Sequence, residues 1–223
     1  IKFLKNYQNS TKFLTSKKKN LFSTLCIKYG TDKSYFIDFE NKNRGHFYSS
    51  YYNQIFGEKR QKIRLVLECG IGSIDEKIPS NMSKYGKKYG KAGASLKVFR
   101  DYFQNAQIYG ADIDKKTLIN KKRIKCYYVD QLNSNSINKM WKKINKDNFD
   151  IIVDDAMHDL NASLNFFNLS FSKLKRGGFY IIEDVNISYL TTLANKLKIF
   201  KPEIIYSKNK NNVDDYLFLI KKN

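Results

Sequence analysis

The chain has 223 residues, 42% of them hydrophobic, with 16 Tyr and 16 Phe, which excludes a disordered protein and fits one domain with a full core. No apolar run approaches the roughly 18 residues of a membrane span. The formal charge of +20 invites a nucleic-acid reading, but only six of the 41 basic residues are Arg and the lysines run along the whole chain. That pattern reads as a Lys-rich solvated surface, with an anionic substrate or RNA as the alternatives.

Residues 1–60 read as a helical cap on a main domain of 61–223, the two forming one compact unit. Phe3, Leu4 and Tyr7, then Phe13 and Leu14, recur at helical spacing, and Leu21, Phe22, Leu25 and Cys26 repeat it. The segment KYGTDKS (Lys28 to Ser34) ends the second helix at Gly30. From Lys62 the rhythm becomes strand–helix alternation. IRLVLECGIG is a buried strand running into a glycine turn, and GASLKVFRDYF (Gly93 to Phe103) is an amphipathic helix with Ser95 near its start. AQIYGADID, KCYYVDQ, FDIIVDD and GGFYIIEDV read as further strands. KKTLINKK, SINKMWKKIN, SLNFFNLSFSKLK and SYLTTLANKLKIF read as helices. EIIYSKN and DYLFLIKK close the chain as a hairpin turning at NKNN. The fold expected is α/β: a Rossmann-like, seven-stranded, mostly parallel sheet whose last strand is antiparallel. A polar, Lys-rich stretch from Asp75 to Lys91 interrupts the first strand–helix unit, where it is either a ligand-binding loop or a surface insertion.

Two strands stop abruptly in acids. Asp154, Asp155 and His158 follow one of them, and Glu183 and Asp184 follow another. At the C-terminal rim of a parallel sheet these groups would converge, and massed carboxylates repel one another unless a cation or charged ligand lies between them. ECGIG places Gly70 and Gly72 just past a strand end, where the backbone is open to a ligand. Asp75 stands where a dinucleotide fingerprint needs its third glycine, which disfavours NAD. Asp112, at the next strand end, is suited to a ribose diol, and Asp130-Gln131 at the third to an adenine edge. Together the three strand ends describe a nucleoside cradle. Cys26, Cys69 and Cys126 are too widely spaced for a zinc site or disulfide framework, so a reducing cytoplasm is expected. The N-terminal IKFLKNYQNSTKF lacks the apolar core of a secretory signal, although a chain starting at Ile1 leaves any leader out of view.

The ordered set KYGTDK, ECGIGS, GASLKVFRDYF, IYGADID, VDQ, VDDAMH and IIED resembles class I S-adenosylmethionine-dependent methyltransferases. It is most similar to the metal-dependent sugar O-methyltransferases that act on macrolide deoxysugars and related glycosides. The resemblance implies S-adenosylmethionine and Mg²⁺ as cofactors. It implies Asp155, Glu183 and Asp184 as metal ligands and His158 as general base. It also implies a cofactor pocket of Glu68, Gly70, Gly72, Ser95, Asp112, Asp130 and Gln131, with Tyr29, Thr31, Lys33 and His46 lining it from the N-terminal segment. Ala156-Met157 replaces the Gly-Ser common in that family, which bears on acceptor fit. The acceptor expected is a small-molecule sugar hydroxyl. It would be carried on a nucleotide-activated sugar or heptose destined for a surface polysaccharide, or on a glycoside. A homo-oligomer is open. The rivals are an RNA ribose methyltransferase and a non-catalytic cofactor-binding protein of the same fold. The only prolines, Pro79 and Pro202, lie far from where a base-methylating motif would need them. The presence of Asp155, His158, Glu183 and Asp184 together argues against the non-catalytic rival.

Overall fold

The apolar runs line up as one sheet because each is short, rich in Ile, Val, Tyr and Phe, and bounded by turn-forming residues. A computed structural model describes residues 10–13, 18–37, 45–83, 91–207 and 216–223. The strands are β1 (Ser10–Phe13), β2 (Leu65–Cys69), β3 (Gln107–Asp112), β4 (Ile124–Tyr128), β5 (Phe149–Asp154), β6 (Leu174–Ile182), β7 (Glu203–Ser207) and β8 (Tyr216–Lys221). The α-helices are α1 (Leu21–Tyr29), α2 (Tyr48–Phe56), α3 (Ala94–Tyr102), α4 (Ser134–Ile144), α5 (Leu160–Ser170) and α6 (Ile187–Lys196). The sheet order is β1-β7-β8-β6-β5-β2-β3-β4. Strand β8 runs antiparallel to both neighbours, while the other pairs are parallel.

Strands β2 to β8 form the expected seven-stranded, Rossmann-like sheet. The N-terminal segment departs from expectation. Ser10–Phe13 is not helical but pairs in parallel with Ile204–Ser207, adding an eighth strand at the edge. The outer edge of β7 presents a row of backbone groups that only an extended segment can pair. Phe3, Leu4, Tyr7, Leu14, residues 84–90 and the NKNN turn lie outside the described residues. KKTLINKK supplies a single 3₁₀ turn, Lys115–Thr117, rather than a helix, because Asp114 takes the Lys116 amide and the chain then straightens toward β4.

Both faces of the sheet are covered, so neighbouring strand residues are buried on opposite sides. Val66, Ile151, Val153, Ile181 and Leu217 pack under α1, α2 and α3. Leu67, Ile152, Tyr180, Ile182 and Phe218 pack under α4, α5 and α6. Phe22 of α1 stacks on Tyr52 of α2 at 5.0 Å and meets Tyr102 of α3 edge-on at 4.9 Å. Each such buried aromatic contributes about 2–3 kcal/mol, so these helices share one core with the sheet. Helix α1 begins in a reciprocal capping box between Asn20 and Ser23 and ends at Gly30 in the left-handed conformation, as the glycine implied. Strand order reverses between β2 and β5. A crevice opens there, outside the carboxyl ends of the strands.

Candidate active site

The crevice is built around one tight crossing. Gly70 leaves β2 with φ +86°, and a Cβ on it would lie 2.1 Å from the carbonyl oxygen of Asp155. Only glycine allows β2 and β5 to approach this closely at their ends. Gly72 has φ +87° and exposes bare backbone to a cavity of about 670 Å³. Asp112 closes the turn from β3, accepting from the Ile71 amide and the Asp114 amide, both at 2.8 Å. Ser95, Thr31, Asp130 and the stretch Ile78–Ser83 also face the cavity, so the described part of the long loop is a cavity wall. Among the described residues, five aspartates and one lysine, Lys91, line it. In a chain of net charge +20, the described part of the lining is acidic.

At one end of the cavity Asp155, His158 and Asp184 each bring one potential ligand atom within 4.8 Å of the others. His158 Nε2 lies 4.0 Å from Asp184 Oδ2, and His46 Nε2 lies 3.6 Å from Asp184 Oδ1. The Tyr48 hydroxyl donates to the same carboxylate. Burial pushes the Asp184 carboxyl up, and the two nearby imidazoles oppose that shift. His158 (φ +55°) and Asp184 (φ +52°) are both non-glycine residues in the left-handed region, an arrangement typical of sites where the surroundings over-determine the backbone. His158 Nδ1 is buried without a hydrogen-bond partner. Two carboxylates beside an imidazole with an unused ring nitrogen fit a hard divalent cation or a proton-transfer site.

Glu183 stands apart from this trio. It is buried, with one oxygen accepting from Tyr52 at 2.5 Å and the other held by the Lys33 ammonium. As consecutive residues past a strand end, Glu183 and Asp184 face different ways, and only Asp184 reaches the cavity. Lys33 also departs from its expected place on the cofactor pocket. It is fully buried, with Nζ 2.6 Å from Asp155 Oδ2 and 3.1 Å from Glu68 Oε1. Burial alone would lower its pKa, but Asp155, Glu183 and Glu68 outweigh that and hold it well above the usual lysine range. Glu68 lies beneath the glycine turn, bonded by Ser95 Oγ at 2.5 Å, and burial raises it to about 7 against the pull of Lys33.

Gln131 lines the cavity, with its amide engaged on the protein side. Its Nε2 donates to Asp154 at 2.6 Å and its Oε1 accepts from the Met157 amide at 3.1 Å, tying β4 to the turn that carries His158. Asp154 is correspondingly a buried support, raised to about 6 by burial. Tyr29 points to Asp101 on α3 instead of lining the cavity. Asp159 caps α5 through the Asn161 and Ala162 amides, as a helix-start acid should. The tyrosine hydroxyls of α2, Tyr48 and Tyr52, and the Lys33 ion pairs went unforeseen. The one signal for them was the excess of acids at the strand ends, which buried chemistry has to balance.

No family model matches the chain. It is 30% identical over 175 residues to the mycinamicin VI 2''-O-methyltransferase of Micromonospora griseorubida. It is 27% identical over 165 residues to the 8-demethyl-8-alpha-L-rhamnosyl tetracenomycin-C 2'-O-methyltransferase of Streptomyces olivaceus. These matches take in 78% and 74% of the chain, yet the chain spans only 38% of the length of each relative. Among solved structures, the MycE methyltransferase of the mycinamycin pathway, in complex with Mg and SAH, superposes with a TM-score of 0.66 at 23% identity, covering 93% of this chain and 56% of that one. The chain carries the class I methyltransferase fold, and the proteins it is similar to in sequence are sugar O-methyltransferases.

Proposed function

We propose that the protein is an S-adenosylmethionine-dependent O-methyltransferase acting on a sugar hydroxyl, assisted by a divalent cation, magnesium by chemistry. The observation that carries this reading is the Asp155–His158–Asp184 trio opening onto the same cavity as the Gly70–Gly72 turn and Asp112. Gly70 and Gly72 leave the floor bare for a cofactor. The Asp112 oxygens each keep a lone pair beyond their backbone bonds and offer it to a ribose diol. S-adenosylmethionine, when bound, supplies an electrophilic methyl group. Asp155 and Asp184 would hold the cation, which when bound makes a sugar hydroxyl more acidic. His158 takes the proton from that hydroxyl. Glu183, tied to Lys33 and Tyr52, stands outside the ligand set. The acidic lining among the described residues favours a positively charged cofactor and the metal over a phosphate-bearing acceptor.

A neutral glycoside is therefore the acceptor class, in keeping with the names of the relatives, rather than a nucleotide-linked sugar for polysaccharide assembly. Among the described residues no helix is long and apolar enough to cross a membrane, and Cys26, Cys69 and Cys126 are all free thiols. Both fit a cytoplasmic enzyme. The test incubates the protein with labelled S-adenosylmethionine against neutral glycosides, nucleotide sugars and RNA, with magnesium and with EDTA. Magnesium-dependent methylation of glycosides is expected, reduced at least a hundredfold in His158→Ala by the ordinary worth of a general base, about 10²–10⁴. Transfer to RNA alone, or turnover indifferent to both EDTA and His158→Ala, would overturn the reading.

A further inference from the structure

Asp155 belongs to two sets at once. It is one corner of the trio with His158 and Asp184, and it is also one of three carboxylates gathered on the Lys33 ammonium. The other two, Glu68 and Glu183, come from the ends of β2 and β6, so the three acids belong to three adjacent strands. Lys33 does not belong to the sheet at all. It reaches in from the turn that follows α1, where its carbonyl is fixed by the Ser49 amide at 2.7 Å. An ammonium has three donors and no acceptor; Asp155 and Glu183 each take one, and Glu68 Oε1 adds a third charge at 3.1 Å. A fixed positive charge thus sits directly behind the proposed cation site and shares a ligand with it.

We propose that Lys33 is a positioning residue acting as a tethered counter-cation. By holding Asp155 Oδ2 it competes with the bound divalent ion for that carboxylate, which keeps the ion loosely held and exchangeable. The inference rests on the cation-assisted reading above. Two like charges a few ångströms apart repel, and an oxygen engaged by an ammonium is a poorer ligand. Removing the ammonium releases Asp155 and Glu183 together. The metal should then bind more tightly and take over the structural task of holding the strand ends.

The test compares the native chain with Lys33→Met, which keeps the stem and removes the charge. Mn²⁺ binding is followed by the loss of the free-ion paramagnetic resonance signal, and thermal unfolding is recorded with and without Mn²⁺. Lys33→Met should bind Mn²⁺ about tenfold more tightly or better, and Mn²⁺ should raise its unfolding temperature more than that of the native chain. If repulsion among the acids prevents the variant from folding, Lys33→Met/Glu183→Gln removes one of them and must still bind more tightly than native, since Asp155 is freed in both. Equal or weaker binding in the variants, with measurable binding to the native chain, overturns the proposal and leaves the cation-assisted function standing. Binding to the variants but not to the native chain would mean that Lys33 replaces the ion rather than loosening it, and overturns both the proposal and the cation-assisted function. Absence of binding to either overturns both.

Discussion

Gly70 and Gly72 share a backbone conformation and differ in what surrounds them, so alanine at each separates conformational strain from collision. At φ near +86° and +87°, an added side chain costs about 1–2 kcal/mol at either position. At Gly72 the nearest atom to a new Cβ is Met82 Cγ at 3.5 Å, an ordinary contact. At Gly70 the new atom would lie 2.1 Å from the Asp155 carbonyl oxygen and 2.5 Å from the Ala156 Cα. Both are backbone atoms, so relief takes a shift of about 1 Å in a close-packed strand end. That shift strains the Asp155 amide bond to the Cys69 carbonyl, now 2.8 Å, which adds about 1 kcal/mol or more. Gly72→Ala should therefore lower stability by about 1–2 kcal/mol and Gly70→Ala by roughly twice that. In a chain of this length the unfolding temperature falls by about 2–4 °C per kcal/mol, so the losses are roughly 5 °C and 10 °C. Scanning calorimetry without ligands, with urea titration as a check, reads both values. Equal losses would refute the reasoning, because the collision would then be absorbed without moving Asp155.

Glu68, raised to about 7 by burial, is a carboxyl whose neutral form is favoured in the folded chain. Its unfolded pKa lies near 4.3, so stability is fullest below about pH 4 and falls as pH rises toward 7, by at most about 4 kcal/mol. Urea midpoints at pH 5 and 7.5 should show that decline in the native chain and a flatter profile in Glu68→Gln; an unchanged slope would show that Glu68 does not titrate there. Asp159→Ala removes the cap of α5 and should cost about 1 kcal/mol, or about 2–4 °C, with turnover kept near native. A fall in turnover at unchanged unfolding temperature would mean that Asp159 acts in the chemistry.

Strands β2, β3, β5 and β6 were readable because a strand buried on both faces has to be an apolar run, and the acids that end them mark the rim. Strand β1 was not readable, because its partner β7 lies some 190 residues away in the chain. Spacing brought Asp155, His158 and Asp184 together correctly, since it fixes which residues reach the rim. It could not divide Glu183 from Asp184, because which way a residue faces past a strand end depends on the left-handed backbone at Asp184. Lys33 was equally opaque, as a lysine in a polar turn looks solvated until three strands are seen to converge on it. Gln131 lines the cavity as its place at a strand end implied, but its amide also braces Asp154 and the His158 turn, which spacing could not show.

Strand β8 is last in chain order, yet it lies between β6 and β7. Until residues 216–221 have left the ribosome, β6 presents an open flank, and β7 with β1 has nothing to join. An apolar ribbon stays uncovered throughout that interval, and the closing contacts are long-range ones, which form slowly. Loss of residues 216–221 would thus cost far more than one strand: it would detach β7 and β1 from the sheet while leaving the acid-bearing rim in place.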